Sequence, residues 1–194
     1  NLVANVRQAH IGGVNVDVEY ALTENLTFGM NYERMEAQTD SEHNLDRDAT
    51  TMELKKGKRL PLVPENKGSL WATWSTPANM MGAEYKYVRF QASTQGGIIT
   101  KLEEDSLNSS ANPQHRVPGY AIMDIRAGLQ GEDWEVAAYI NNLTDERAQY
   151  TWYTGHYGWA MQSTNAVGKR AHNVDVATNR PREIGIRYMR RWGE

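Results

Sequence analysis

The sequence predicts an all-β protein: an antiparallel, up-and-down transmembrane β-barrel. Three observations carry that expectation. Apolar and polar residues alternate with a period of two along seven segments, the connections between segments alternate between short and long, and amphipathic aromatics gather at one end of the strands. A half-buried strand alternates because successive side chains leave opposite faces of the pleat.

The segments follow in chain order. Val14, Val16, Val18, Tyr20 and Leu22 alternate with Asn15, Asp17, Glu19 and Ala21. Leu26, Phe28, Met30 and Tyr32 alternate with Thr27, Gly29, Asn31 and Glu33. Leu70, Ala72 and Trp74 form a third strand, and residues 83–95 a fourth with less regular alternation. Met123, Ile125, Ala127 and Leu129 alternate with Asp124, Arg126 and Gly128 in the fifth. Trp134, Val136, Ala138 and Ile140 alternate with Glu135, Ala137 and Tyr139 in the sixth; Ile184, Ile186 and Tyr188 alternate with Glu183, Gly185 and Arg187 in the seventh. The sole helical candidate is a single turn at residues 144–148, where Thr144 could cap and Asp145 and Glu146 suit a helix start.

Tight turns are expected at residues 23–25, at Thr76-Pro77-Ala78-Asn79 and at residues 131–133; long polar segments lie at 37–65, 96–118 and 144–180. Loops beyond about 12–15 residues are uncommon in compact domains. Three at one end of a meander match transmembrane barrels, which have short turns on one side and long loops on the other. Tyr20, Trp74, Tyr85, Trp134 and Trp192 fall near the short turns or the C-terminus, where amphipathic rings suit a membrane–water interface. Strands of about 10–13 residues meet the roughly 9–11 that cross a bilayer at a tilt.

Composition excludes other classes. The chain has 194 residues, 40% of them hydrophobic, with a mean hydropathy of −0.69. It has no run approaching the roughly 20 apolar residues of a membrane helix. Twenty-one basic against 24 acidic residues argue against a nucleic-acid partner. The absence of cysteine excludes disulfides, thiolate metal sites and a cysteine nucleophile. Ten Tyr and six Trp against two Phe skew the aromatics to the amphipathic types. A start at Asn1, with neither Met nor a signal peptide, suggests a mature or excised piece.

Specific residues carry a family resemblance. Pro118-Gly119-Tyr120 with Asp124, followed by a hairpin and Asn141-Asn142-Leu143-Thr144-Asp145-Glu146-Arg147, resembles the C-terminal region of TonB-dependent outer-membrane receptors. The closing Arg180-Pro181-Arg182-Glu183-Ile184-Gly185-Ile186-Arg187-Tyr188 resembles that family's last strand. Leu60-Pro61-Leu62-Val63-Pro64 with Lys67, and Gly13-Val14 with Asp17, resemble the starts of earlier strands. The resemblance implies that residues 1–194 are the C-terminal part of the barrel, about seven of some 22 strands, without the N-terminal plug domain or TonB box. It further implies a bacterial outer-membrane receptor for energised uptake of a scarce solute: a ferric siderophore, cobalamin or a saccharide. The implied partners are the TonB complex, reached through the missing N-terminal region, the barrel-assembly machinery, outer-membrane lipid and the small-molecule or saccharide ligand. Ile184, Ile186, Tyr188 and Trp192 would form the C-terminal assembly strand. Trp192 is followed by Gly193 and Glu194, a departure from the usual aromatic terminus. Arg190 would face outward near the interface with its head group snorkelling.

No catalytic constellation or cofactor site emerges. His10, His43, His115, His156 and His172 are dispersed, and Glu103-Glu104-Asp105 and Asp46-Arg47-Asp48 lack the spacing of a cation loop. Asn25-Leu26-Thr27, Asn108-Ser109-Ser110 and Asn142-Leu143-Thr144 fit a glycosylation sequon but read as caps and turns. Asp17, Glu19, Asn31, Glu33, Asp124, Arg126, Glu135 and Arg187 would face the lumen, because charge in hydrocarbon is expensive. Trp152, Tyr153, His156, Tyr157 and Trp159 form the candidate ligand-binding surface, suited to stacking on a planar or sugar-like molecule. A passive porin-type or autotransporter barrel and a soluble β-sandwich carbohydrate-binding module are the alternatives. With seven strands the sheet cannot close, so the edges at residues 14–22 and 184–192 should stand unpaired.

Overall fold

The computed structural model describes residues 8–41, 43–44, 53–54, 56–100, 116–153 and 175–192. In chain order the strands are β1 (Ala9–Thr23), β2 (Leu26–Thr39), β3 (His43–Asn44), β4 (Glu53–Leu54), β5 (Asn66–Met80), β6 (Ala83–Gln95), β7 (Ile98–Ile99), β8 (Arg116–Val117), β9 (Tyr120–Gln130), β10 (Trp134–Asn141), β11 (Gln149–Tyr153), β12 (Asp175–Thr178) and β13 (Glu183–Arg190). The seven long strands form one sheet in the order β1-β2-β5-β6-β9-β10-β13, each antiparallel to its neighbour. The pairs β3-β4, β7-β8 and β11-β12 are small ladders within the three long connections, all at one end of the meander.

Two local expectations are corrected. Thr76-Pro77-Ala78-Asn79 is not a turn; it continues β5, and the chain reverses at Met81 and Gly82, with φ of 55° and 72° and Met80 paired to Ala83. Two successive positive φ values make the reversal a twist-matched hairpin turn. Pro77 is tolerated because β5 pairs with β2 only as far as Trp74, leaving that side of the strand an edge. Residues 144–148 form no helical turn: Asn142 and Asp145 sit at φ of 54° and 52°, which a right-handed helix forbids.

Register carries the alternation across the sheet. Tyr20 faces Phe28, Phe28 faces Ala72, Ala72 faces Phe90, Phe90 faces Ile125, Ile125 faces Ile140 and Ile140 faces Ile184. Directly opposed residues share a face, so these side chains form one apolar row. Val18, Met30, Leu70, Ala92 and Met123 form the next. The charges on this face, Arg34, Glu36, Glu84, Lys86 and Arg190, fall at its two ends rather than in the band between. Along β1, the eight steps from Val14 to Leu22, at about 3.4 Å each and a tilt of about 40°, cover roughly 20 Å of a membrane normal.

This face has no protein layer packed against it among the described residues. Val16, Val18, Leu70 and Trp74 are about 40% exposed, and Ile184 and Ile186 exceed 70%. Among the described residues the buried apolar ones are few and mostly small: Ala37, Ala78, Ala83, Ile98, Ile99, Val117, Ala137 and Ala148. A soluble sandwich would bury its apolar face against a second sheet. Here that face is continuous and open, well beyond the apolar patch of a soluble monomer. β1 pairs only with β2, and β13 only with β10, so the described sheet is an unclosed stretch of wall.

Candidate functional site: the polar face and the loop junctions

The opposite face holds Asp17, Glu19, Asn31, Glu33, Asp124, Arg126, Glu135 and Arg187. Asp17 pairs with Asn31, Asn15 with Glu33, Arg89 with Arg126, and Ala137 with Arg187. The Asn31 amide donates to Asp17 at 2.7 Å and to Asn15 at 2.9 Å, and Asn15 in turn donates to Asp17 at 3.0 Å. The Tyr87 hydroxyl donates to Glu135, and the Tyr139 hydroxyl donates to Glu183 at 2.9 Å. The Arg89 guanidinium lies 5.3 Å from the Trp71 ring centre, within cation–π range. Asp124 is committed elsewhere: its carboxylate accepts the Asn142 N–H at 2.8 Å, tying the wall to the loop end.

Three aromatics of this face stand opposite glycines: Trp71 opposite Gly29, Tyr87 opposite Gly128 and Tyr139 opposite Gly185. A Cβ added at Gly29 would collide with the Trp71 indole, and one at Gly185 with the Tyr139 ring. At Gly29 and Gly185 the opposed ring therefore occupies the space a side chain would need, the cross-strand packing that compensates for glycine in a sheet; at Gly128 that space is taken by the Val136 carbonyl and Ala137. Tyr85 shares the face of Tyr87 by alternation, so it stands apart from the aromatics of the apolar face, Tyr20, Trp74 and Trp134.

At the loop end, two junctions bind the long connections to the sheet. Arg59 donates to the carbonyls of Val63 at 2.9 Å and Gly97 at 2.8 Å and pairs with Glu65 at 3.1 Å. The Leu62 N–H, at a φ of 63°, reaches the Ile99 carbonyl at 2.9 Å. Through these contacts the connection before β5 and the one after β6 are joined. The second junction centres on Asn142, which is 4% exposed. Its amide donates to the carbonyls of Glu146 at 2.9 Å and Arg180 at 3.1 Å, and its side-chain oxygen accepts the Glu146 N–H at 2.8 Å. Asp145 accepts the Arg182 N–H at 2.9 Å. That bond, aided by the charges of Arg147 and Arg182, holds its carboxyl below the usual carboxylate range against the opposing effect of desolvation.

The aromatic cluster is only partly within reach. Trp152 and Tyr153 lie on β11, opposite Val176 and Asp175. Their side chains, with His156, Tyr157 and Trp159, lie outside the described residues, as do Asp46-Arg47-Asp48, Glu103-Glu104-Asp105, Asn108, His115 and His172. Tyr150 meets the Tyr120 ring edge-on at 5.4 Å, which seats β11 on the wall. Among the described residues no three His, Asp or Glu side chains are grouped to hold a metal. His10 meets Asp40 at 2.7 Å, an isolated contact at the loop end. Ile184, Ile186 and Tyr188 share the apolar face of β13. At its end Arg190 stacks 4.4 Å from the Trp192 ring and pairs with Asp133 at 3.2 Å.

Sequence reasoning missed Asn142 as a hub, Arg59 as a clamp and the Trp71–Gly29 contact. A glycine among the polar positions of the second segment was the one available signal for Trp71. Arg59 and Asn142 act through main-chain partners up to 38 positions away, which no local pattern displays.

The model of the family "TonB dependent receptor-like, beta-barrel" matches residues 1–143. The sheet superposes on the crystal structure of the ferric yersiniabactin uptake receptor FyuA from Yersinia pestis with a TM-score of 0.64 and 17% identity. The match covers 94% of this chain and 23% of that one, so the chain spans about a quarter of that receptor's length. No curated protein sequence gives a significant match.

Proposed function

The chain belongs to the TonB-dependent receptor β-barrel family, a family of bacterial outer-membrane receptors and transporters, and from that premise we propose that it forms part of the wall and loops of a receptor for energised solute uptake. The observation that carries the reading is the unbroken apolar face over seven strands. Lipid is the one solvent in which that surface is satisfied, and it leaves the polar face to line the lumen. Asp17, Glu19, Asn31, Glu33, Arg126, Glu135 and Arg187 then contact water or the plug that this stretch lacks, and Asp124 holds the loop end. The missing N-terminal region supplies the plug and the contact with the TonB complex. The barrel-assembly machinery engages the terminal strand through Ile184, Ile186 and Tyr188, with Trp192 just beyond its end rather than within it.

The solute we propose is a ferric siderophore, cobalamin or a saccharide; a solved structure of similar fold is a ferric yersiniabactin uptake receptor, so ferric siderophores are tested first. The loop aromatics Trp152, Tyr153, His156, Tyr157 and Trp159 would capture the ligand by stacking on its planar or ring portions. Capture and passage need no covalent chemistry from this chain. The test is uptake of radiolabelled ferric siderophores by an iron-starved strain whose sole receptor is the full-length protein. Uptake should depend on TonB and should fall at least tenfold when Trp152, Tyr157 and Trp159 are all replaced by Ala. Uptake that persists without TonB would overturn the energised mechanism, and unchanged uptake and affinity in the triple variant would remove the aromatic site.

A further inference from the structure

The chain leaves the wall at Asn141 and rejoins it at Glu183, and the two ends of this connection are fastened together before β13 begins. Four features converge on the fastening. Asn142 is buried and left-handed, and it closes a ring with Glu146 through bonds in both directions. Its amide also grips the Arg180 carbonyl on the returning chain. Asp145, also left-handed, accepts the Arg182 N–H directly before β13. Asn179 donates to the Glu146 carbonyl at 3.0 Å, and Leu143 donates to the Met123 carbonyl of β9 at 2.7 Å. Asn142 bonds locally to Glu146, which offsets the strain of its positive φ, and Asp145 is of a residue type that tolerates the left-handed region.

We infer that residues 142–146 and 179–182 form a register lock, centred on the positioning residues Asn142 and Asp145, that docks β13 on β10 independently of the rest of the connection. A one-residue slip in β13 would turn Ile184, Ile186 and Tyr188 to the polar face, and the lock prevents it by fixing the residue before the strand. Closure of a long loop is costly in entropy mainly through its length. The lock replaces that long loop by a short hydrogen-bonded one at the wall, so residues between its two halves can vary without disturbing β13.

The test is hydrogen–deuterium exchange on the full-length receptor in detergent micelles, comparing β13 with the β1–β2 hairpin as an internal reference. Asn142→Ala should speed exchange in β13 at least tenfold and leave the hairpin unchanged. Asp145→Ala should raise it severalfold, while Asp145→Asn, which keeps an acceptor for the Arg182 N–H, should restore protection. Replacing residues 154–174 with a short Gly-Ser linker should leave β13 protection intact. Faster exchange in β13 on that replacement alone would overturn the lock, as would unchanged β13 exchange in both alanine variants. If Asn142→Ala fails to assemble, the Asp145 pair decides: rescue by Asn supports the lock, and identical exchange in the Ala and Asn variants refutes it. The readout is independent of uptake, so a wrong assignment of solute or of energised transport would not alter it.

Discussion

Ala92 and Ser93 are neighbours in β6, yet they belong to differently built surfaces. Ala92 sits between Leu70 and Met123, in an apolar row held only by cross-strand contact; Ser93 sits between Ser69 and Ile122 on the face of the Asn31–Asp17 bonds, the Tyr–Glu bonds and the Trp71–Arg89 stack. The apolar face makes few specific contacts and relies on the medium that covers it. The polar face meets its own needs, filling glycine gaps with rings and satisfying carboxylates with hydroxyls. This asymmetry, with the apolar face uncovered by protein among the described residues, is what a wall between lipid and water requires.

The comparison breaks most visibly under a charge placed one residue apart. Ala92→Arg should cost about 2–4 kcal/mol of folding stability in a bilayer, whereas an Arg on the lumen side is solvated and costs far less. Urea titration of the receptor folded into vesicles, monitored by heat-modifiable gel mobility, should separate Ala92→Arg from Ser93→Arg. Equal losses would remove the distinction between the faces.

The glycine contacts sharpen the account of the polar face. Gly29→Val and Gly185→Val force a side chain into space held by Trp71 and Tyr139, and overpacking of this kind costs about 1–3 kcal/mol. Truncating the opposed ring, as in Gly185→Val with Tyr139→Ala, should recover part of that loss in a double-mutant cycle. Strict additivity would show that ring and glycine do not share the space.

The smallest expected effect concerns Asp145 at the loop junction. Its carboxyl titrates below the ordinary value of 3.8, chiefly because the Arg182 N–H bonds the ionised form. A depressed folded value means the contribution is complete above about pH 4 and is lost only as pH falls through the lower folded value. Thermal stability of the loop end, followed by proteolysis within the 142–182 connection, should therefore be level from neutral pH to about 4 and weaken below it. In Asp145→Asn that acid-dependent component should disappear.

How much of this was legible in the sequence depended on the range of the interaction. Val14 to Leu22 and Ile184 to Tyr188 display their faces directly, because alternation is local and the pleat translates it. The β5–β6 turn was displaced because proline and asparagine at 77 and 79 mimic a turn, whereas the real reversal uses Met81, a residue with no turn preference, beside Gly82. The helical turn expected at 144–148 failed for a related reason: acids after a threonine suit a helix start, but Asp145 is drawn to the Arg182 N–H instead. The Asn142 junction and the Arg59 clamp join segments distant in sequence, and only the register of the sheet brings those segments together.

The central claim is that one face of the sheet meets lipid and the other meets water. These 194 residues contain no cysteine, so single cysteines can be introduced along β6 at Val88, Phe90 and Ala92 and at Arg89, Gln91 and Ser93, with any cysteine elsewhere in the receptor replaced by serine. Spin labels there, on the full-length receptor in vesicles, can be read by collision with oxygen, which concentrates in lipid, and with a water-soluble nickel chelate. The account predicts a period of two, with oxygen dominating at 88, 90 and 92 and the chelate at 89, 91 and 93. Uniform accessibility along the strand, or the opposite phase, would contradict it.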